Sequence, residues 1–372
     1  MTDSTLNFHG LGVSDAMLAI LTKAGYSQPT PIQALAIPPG LQGRDIIGAA
    51  PTGTGKTAAF IVPIVERLAG GRGTRALILA PTRELAMQIQ QTVDKIGRPR
   101  RIEAALIVGG ANMAQQERAL RQQPEILVAT PGRLLDHMWR GTVNFQTIKI
   151  FVLDEADRLL DMGFAPQIDQ IIAAVPEERQ TMLFSATMPA DVAALAKTCL
   201  RNPVRAEVAK LGTPAAKAEQ RVYHSRREDK TSLLRKLLHK EKGSTLVFTR
   251  TKSRADRLGR VLCDDGVHAA VLHGDRSTGQ RKHALEGFKR GQYRVLVATD
   301  IMARGIHVNG IAHVINFDVP ASPEDYIHRI GRTARAQATG LASTFVTPED
   351  TTQLRAIERL LGQKVPVIAA GN

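Results

Sequence analysis

A chain of 372 residues exceeds what one hydrophobic core usually supports, so two domains are expected. With 43% hydrophobic and 23% charged residues the composition is that of an ordinary globular protein, and no apolar run approaches a membrane span. Met1 to Gly10 carries neither a basic stretch nor an apolar one, and Cys199 and Cys263 fit no metal spacing, so a reducing, cytoplasmic setting with no membrane partner is expected. The net charge of +14 is unevenly placed: residues 1–210 hold 22 Lys and Arg against 19 Asp and Glu, and residues 211–372 hold 27 against 16. An excess of this size points to a polyanion, nucleic acid before an anionic membrane surface.

Short Val/Ile/Leu-rich runs bounded by turn residues alternate with amphipathic stretches, the pattern of parallel α/β domains. Strands are expected at Asp45–Gly48, Ala76–Ala80, Ala104–Val108, Ile126–Ala129, Ile150–Leu153 and Thr181–Ser185 in the first half. In the second they are expected at Thr245–Phe248, Ala269–Leu272, Val295–Ala298, Val314–Phe317 and Ala342–Val346. Residues 209–219, with Gly212, Pro214 and four alanines, lack a strand pattern and read as a linker joining domains 1–208 and 220–372.

The first domain opens with Phe8 and then Gly25-Tyr26 to Pro29-Thr30-Pro31-Ile32-Gln33. A glutamine amide can pair with N6 and N7 of adenine, and an aromatic ring can stack on the base. Ala50-Pro51-Thr52-Gly53-Thr54-Gly55-Lys56-Thr57 follows a strand and precedes a helix from Thr57 to Leu68, which marks a phosphate cradle. Gly53 and Gly55 free the backbone to turn N–H groups onto phosphates, Lys56 can reach the β and γ oxygens, and Thr57 can ligand Mg²⁺. Pro81-Thr82-Arg83-Glu84, Gly109-Gly110 and Thr130-Pro131-Gly132-Arg133 each follow a strand and open a helix, where backbone N–H groups, hydroxyls and arginines suit a phosphate chain. Phe151-Val152-Leu153 then runs into Asp154, Glu155 and Asp157. Charges there are costly without a compensating cation, so Asp154 reads as a Mg²⁺ holder opposite Thr57, and Glu155 as a general base near the γ-phosphate. Ser185 and Thr187 offer hydroxyls that could tie this cluster to other parts.

In the second domain the informative segments are Val247-Phe248-Thr249-Arg250-Thr251, His273-Gly274-Asp275, Thr299-Asp300 to Arg304-Gly305, and His328-Arg329-Ile330-Gly331-Arg332-Thr333-Ala334-Arg335. Arginines three apart at 329, 332 and 335 would share one face of a helix.

Together these segments, from about Phe8 to about Leu361, resemble the DEAD-box RNA helicases of superfamily 2, with about a dozen motifs in the family's order. The wording Asp157 to Phe164 further resembles the bacterial RhlE-like branch. The resemblance implies two RecA-like domains, each a mostly parallel sheet flanked by helices, joined by a flexible linker, with ATP, Mg²⁺ and RNA as ligands. It implies an RNA-stimulated ATPase that separates short duplexes locally or remodels RNA–protein complexes. Phe8, Tyr26, Gln33, Ala50 to Thr57 and Asp300 would serve the nucleotide. Arg332 and Arg335 would be arginine fingers, with His328 and Asp300 coupling domain closure to hydrolysis. RNA would meet Arg83, Gly110, Thr130, Arg133, Arg250, Gly274 and Thr299, largely through phosphates and 2′-hydroxyls. Ribosome-assembly or RNA-degradation proteins are the expected protein partners. A non-catalytic RNA clamp is the competing reading, and intact Lys56, Glu155, Arg332 and Arg335 count against it. Thr278, His307 and Ala334 depart from the usual glutamine, aspartate and glycine.

Overall fold

The computed structural model describes residues 7–51, 53–71, 73–208, 218–300, 311–333 and 340–368, the side chains of Thr278 and Glu324 excepted. The chain forms two compact units, Met1–Leu211 and Gly212–Asn372. No described helix is long and apolar enough to cross a membrane.

The first unit is built on strands β1 (Ile46–Ala49), β2 (Ala76–Leu79), β3 (Ala104–Ile107), β4 (Ile126–Ala129), β5 (Ile150–Leu153), β6 (Gln180–Ser185) and β7 (Val204–Glu207), in the order β3-β4-β2-β5-β6-β1-β7. Every pairing is parallel, so every strand delivers its carboxyl end to the same edge. Helices α1 (Asp15–Lys23), α2 (Pro31–Leu41), α3 (Lys56–Leu68), α4 (Arg83–Gly97), α5 (Met113–Arg121), α6 (Pro131–Trp139), α7 (Ala156–Asp161), α8 (Ala165–Ala174) and α9 (Ala190–Cys199) accompany the strands. The strands read as continuous apolar runs because both faces are buried: Ile78 and Val152 point into one core cluster, Leu77, Leu79 and Leu153 into the other. Glycine is required at position 48, because a Cβ there would lie 2.3 Å from the Phe184 ring.

The second unit repeats the scheme with β8 (Ala218–His224), β9 (Thr245–Phe248), β10 (Ala269–Leu272), β11 (Val295–Ala298), β12 (His313–Asn316) and β13 (Gly340–Val346), ordered β10-β11-β9-β12-β13-β8 and again wholly parallel. Helices α10 (Lys230–Lys240) and α11 (Lys252–Asp264) cover one face, where Leu234 and Leu258 meet Val247 and Ile315. Helices α12 (Thr278–Lys289), α13 (Pro323–Ile330) and α14 (Thr351–Leu361) cover the other.

All eleven expected strands form, within one or two residues of their expected ends. Sequence reading missed β7 and β8, each at the outer end of its sheet. Edge strands bury less and carry more polar residues: β7 reads Val-Arg-Ala-Glu with only Ala206 buried. β8 does alternate buried Ala218, Gln220 and Val222 with outward residues, a signal that was present, and it begins inside the span read as linker.

Candidate nucleotide and nucleic-acid site

The phosphate loop leaves β1 and enters α3 through two left-handed glycines, Gly53 (φ 83°) and Gly55 (φ 90°). Gln33 sits against it. Its amide closes a capping box at the start of α2, Oε1 accepting from Thr30 N at 3.0 Å, while Nε2 donates to Gly55 O at 3.1 Å. A Cβ at position 55 would lie 2.4 Å from that Nε2, so glycine is needed for contact as well as for conformation. Thr54 Oγ1 donates to Pro51 O at 2.7 Å, and the buried Lys56 Nζ donates to Ala50 O at 2.7 Å. Thr57 is half-buried in the first turn of α3. Tyr26 is half-buried on the same core, with Lys95 Nζ 5.7 Å from its ring centroid. Phe8, expected as a stacking ring, is only 4% exposed and packs into that core. Thr52 lies outside the described residues.

Two strands away, β5 ends in the acidic cluster. Asp154 is 2% exposed, and burial first, then the neighbouring Glu155 charge, push its carboxyl up to about 7 against the pull of Lys56. Its Oδ1 accepts from Glu155 N at 3.0 Å. Glu155 holds a left-handed backbone (φ 51°, ψ 54°), strained for a residue with a side chain, and its Oε2 pairs with the buried Arg158 at 3.2 Å. The Ser185 and Thr187 hydroxyls do tie the cluster to β6. Asp157 N donates to Ser185 Oγ at 3.2 Å, and Asp157 Oδ2 accepts from Thr187 N and Oγ1, both at 2.9 Å.

The remaining loops of this edge come from β2, β4 and β3, adjacent in the sheet. Two arginines stitch them together. Arg83 Nη1 donates to Gly109 O at 3.4 Å, and Arg133 Nη1 donates to Ala111 O at 2.9 Å. Gly110 is left-handed (φ 71°), and a Cβ there would approach Arg83 to 3.3 Å. Thr130 caps α6. The Gly-Gly pair does not itself open a helix: α5 starts at Met113, capped by Asn112 Oδ1 accepting from Gln115 N at 3.1 Å.

In the second unit the loops after β9, β10 and β11, again adjacent strands, carry Arg250, Gly274, and Thr299 with Asp300. Arg250 N donates to Asp318 Oδ2 at 2.9 Å, and its guanidinium meets Asp350 and Val319 O. The buried His273 beside Gly274 is hydrogen-bonded to Asp256 at 2.9 Å, and Arg276 pairs with the same carboxylate. Thr299 is 8% exposed. Asp300 receives two bonds from Arg329, whose Nη1 also reaches Asn316 Oδ1 at 3.1 Å and Asp318 O at 2.7 Å.

This corrects the expectation of a shared helical face for Arg329 and Arg332. α13 ends at Ile330 with Gly331 as its C-cap, and both arginines are 2% exposed rather than solvated. Arg332 Nε donates back to His328 O at 3.3 Å. Arg304, His307, Ala334 and Arg335 lie outside the described residues. Sequence reading also missed Lys230, Asp318 and Asp350, although Asp318, shortly after the buried strand β12, repeats in part the signal that singled out Asp154.

Two wholly parallel sheets flanked by helices, one with a phosphate loop and an acidic strand end, define a pair of RecA-like units. Residues 30–195 match the DEAD/DEAH box helicase family, and residues 229–337 match the helicase conserved C-terminal domain. The DEAD-box ATP-dependent RNA helicase CshA of Bacillus licheniformis is 44% identical over 363 residues, which covers 97% of this chain and 74% of that protein. The same-named protein of Bacillus subtilis is 43% identical over the same length and coverage. Among solved structures, S. cerevisiae Dbp5 bound to RNA and ADP BeF3 is similar with a TM-score of 0.88 and 32% identity, covering 98% of this chain and 96% of that one. Mss116p bound to ssRNA and AMP-PNP gives 0.87 and 26%, covering 98% and 78%. The chain belongs to the DEAD-box ATP-dependent RNA helicases.

Proposed function

We propose that the edge formed by β1, β6 and β5 binds and hydrolyses ATP, and that the loops of β2, β4 and β3, together with those of β9, β10 and β11, grip one RNA strand. The observation that carries this reading is the strand order. It sorts the phosphate loop, the acidic cluster and the hydroxyls onto one run of neighbouring strands, and the arginine-stitched loops onto the next.

The N–H groups of Gly53, Thr54 and Gly55 cradle the phosphates, and Lys56 leaves the Ala50 carbonyl for the β and γ oxygens. Gln33 reads adenine with the hydrogen-bonding capacity its two protein bonds leave over, and the half-buried Tyr26, with Phe8 behind it, shapes the base pocket. Glu155, held in place by Arg158, takes the proton of the attacking water. Arg332 and Arg335 stabilise charge on the transferring phosphoryl group, a contribution of roughly 10³ to 10⁵ in rate for such arginines. His328 and Asp300 couple closure to hydrolysis. Asp154 and Thr57 suit Mg²⁺: both offer hard oxygen donors, and a carboxyl pushed up to about 7 is one that a divalent cation would return to its ionised form. When bound, the ion neutralises charge on the phosphate oxygens.

RNA is read by phosphate and 2′-hydroxyl through Arg83, Gly110, Thr130, Arg133, Arg250, Gly274 and Thr299, so base sequence counts for little. Unwinding is local. A micromolar affinity is worth roughly 8 kcal/mol, against about 1.4 kcal/mol for each base-pair step on the DNA scale, so one closure opens only a few steps. The setting that suits this activity is the cytoplasm, with ribosome-assembly or RNA-degradation proteins as partners.

The test is ATP hydrolysis with and without single-stranded RNA, with DNA as control. Strong stimulation by RNA alone is expected. Equal stimulation by DNA would replace the RNA assignment with a DNA one. No stimulation of ATP hydrolysis by RNA, with RNA still held when a nonhydrolysable ATP analogue is added, would replace the enzyme with a clamp.

A further inference from the structure

Beneath Arg250 lies a charge network assembled from four separate segments. Lys230, at the start of α10, is 3% exposed, and its Nζ donates to Phe317 O at 2.9 Å and stands 3.7 Å from both Asp318 Oδ1 and Asp350 Oδ2. Asp318 accepts from the Arg250 backbone N–H and pairs with Arg254, which fixes the loop after β9. Asp350 is oriented by Thr347, whose N and Oγ1 both donate to its Oδ2, at 3.2 and 2.8 Å. That leaves Oδ1 for Arg250 Nη2 at 3.3 Å. Burial pulls the Lys230 ammonium below its usual range against the two carboxylates. Burial also works to raise the Asp350 carboxyl, but the Thr347 hydrogen bonds and the Lys230 and Arg250 charges outweigh it and hold it low.

Two carboxylates thus face three cations. Lys230 is sealed from solvent, whereas the Arg250 side chain is 53% exposed, so the surplus positive charge emerges there. An unpaired arginine side chain would lose much rotamer freedom on gripping a phosphate, and one already tethered at Oδ1 of Asp350 loses less. A carboxylate near a phosphate site also repels it. With its charge shared by Lys230 and Arg250, Asp350 opposes RNA weakly, and the positioning effect prevails.

We propose that Asp350, oriented by Thr347 and neutralised by Lys230, is a positioning residue that holds the Arg250 guanidinium ready for an RNA phosphate. This rests on the proposed RNA role of Arg250, and the experiment separates the two. The RNA concentration for half-maximal ATPase is measured for the full chain and its variants. Arg250→Ala and Asp350→Asn are each expected to raise it by about three- to ten-fold, with the shift in half-saturation rather than in maximal rate, and the double variant should match Arg250→Ala alone. A three- to ten-fold rise for Arg250→Ala with no rise, or tighter RNA binding, for Asp350→Asn would overturn the positioning role and leave Arg250 as an RNA contact. Additive effects would do the same. No change for Arg250→Ala would remove the RNA assignment, and the positioning role with it. Thr347→Val keeps the shape, removes one donor to Asp350 and should move half-saturation in the same direction. If Asp350→Asn fails to fold, an unshifted Thr347→Val overturns the proposal by itself.

Discussion

The carboxyl edges of the two sheets share a backbone plan and differ in sign. In the first unit Asp154, Glu155 and Asp157, all buried, converge on Lys56 and Arg158. In the second, Asp318 and Asp350 are outnumbered by Lys230, Arg250 and Arg254. The parallel sheet supplies only positions. On the proposed reading, charge at the strand ends sorts the nucleotide to the β1, β6 and β5 ends of the first edge and gives the second edge a positive surplus for a phosphate chain.

The sharpest way to break this contrast is to neutralise one charge on each edge. Glu155→Gln keeps the shape of the first edge and removes its proposed base, so turnover should fall by about 10² to 10⁴ while ATP and RNA still bind and the closed state accumulates. Single-turnover hydrolysis with a parallel RNA-binding assay checks this. Wild-type turnover in Glu155→Gln would take the chemistry away from the acidic edge. Arg250→Ala, the change on the second edge, should act on RNA half-saturation instead.

Stability should respond to acid with opposite signs in the two units. Burial holds the His313 imidazole down from 6.5 to about 4 in β12. Between those values the unfolded chain binds the extra proton, so the second unit loses stability as pH falls through that window. Asp256 and Asp350, both held below the usual carboxylate range, add the same sign. Asp154 runs the other way. Its carboxyl stands at about 7 rather than 3.8, so the stability it contributes is present at low pH and lost as pH rises toward 7 in metal-free protein. The His313 shift corresponds to roughly 3 kcal/mol and the Asp154 shift to roughly 4 kcal/mol. His137, lowered by burial, opposes Asp154 within the first unit by a smaller shift. Hydrogen exchange of the full chain in chelator, compared at pH 4.5 and 7 after correction for intrinsic rates, should show β5 and β6 better protected at the lower pH and β9 and β12 worse. Asp154→Asn should flatten the first response and leave the second. Equal responses in both units would end the contrast.

Local runs made most of the scaffold legible. Val, Ile and Leu bounded by turns located the buried strands because both faces of a parallel strand are apolar, and the phosphate loop and Asp154 stood out because glycines and carboxylates at the ends of such strands need a reason. The linker read at 209–219 lies mostly outside the described residues, and its last two residues are in β8. The Asp157 to Phe164 wording suggested an RhlE-like branch, while the relatives compared carry the CshA name. The partners of the charges were the hidden part. Positions 230, 250, 318 and 350 have no spacing that announces a network, and only the strand order β9-β12-β13 brings their segments together. The helical face expected of Arg329 and Arg332 failed because Gly331 ends α13, and because Arg329, in the last turn of α13, turns inward to the Asp300 carboxylate.

The smallest expected effect concerns the adenine contact, and Gln33 carries two duties that one substitution confuses. Its Oε1 closes the capping box on Thr30 and its Nε2 holds the Gly55 carbonyl, so Gln33→Ala should both relax the preference for ATP over GTP and loosen the loop for every nucleotide. Gln33→Glu spares only the capping bond. It keeps an acceptor for Thr30 N but loses the donor to Gly55 O and to the base, and it adds a negative charge beside the loop. Thr30→Val changes the N-cap of α2 beside the loop and leaves the Gln33 amide intact. If Gln33 reads adenine, Gln33→Ala should cut the preference for ATP over GTP by about five-fold, since a lost neutral hydrogen bond is worth about 1 kcal/mol. Thr30→Val should weaken both nucleotides alike. A selectivity unchanged in Gln33→Ala, with both affinities lowered together, would leave Gln33 as a brace of the phosphate loop and nothing more.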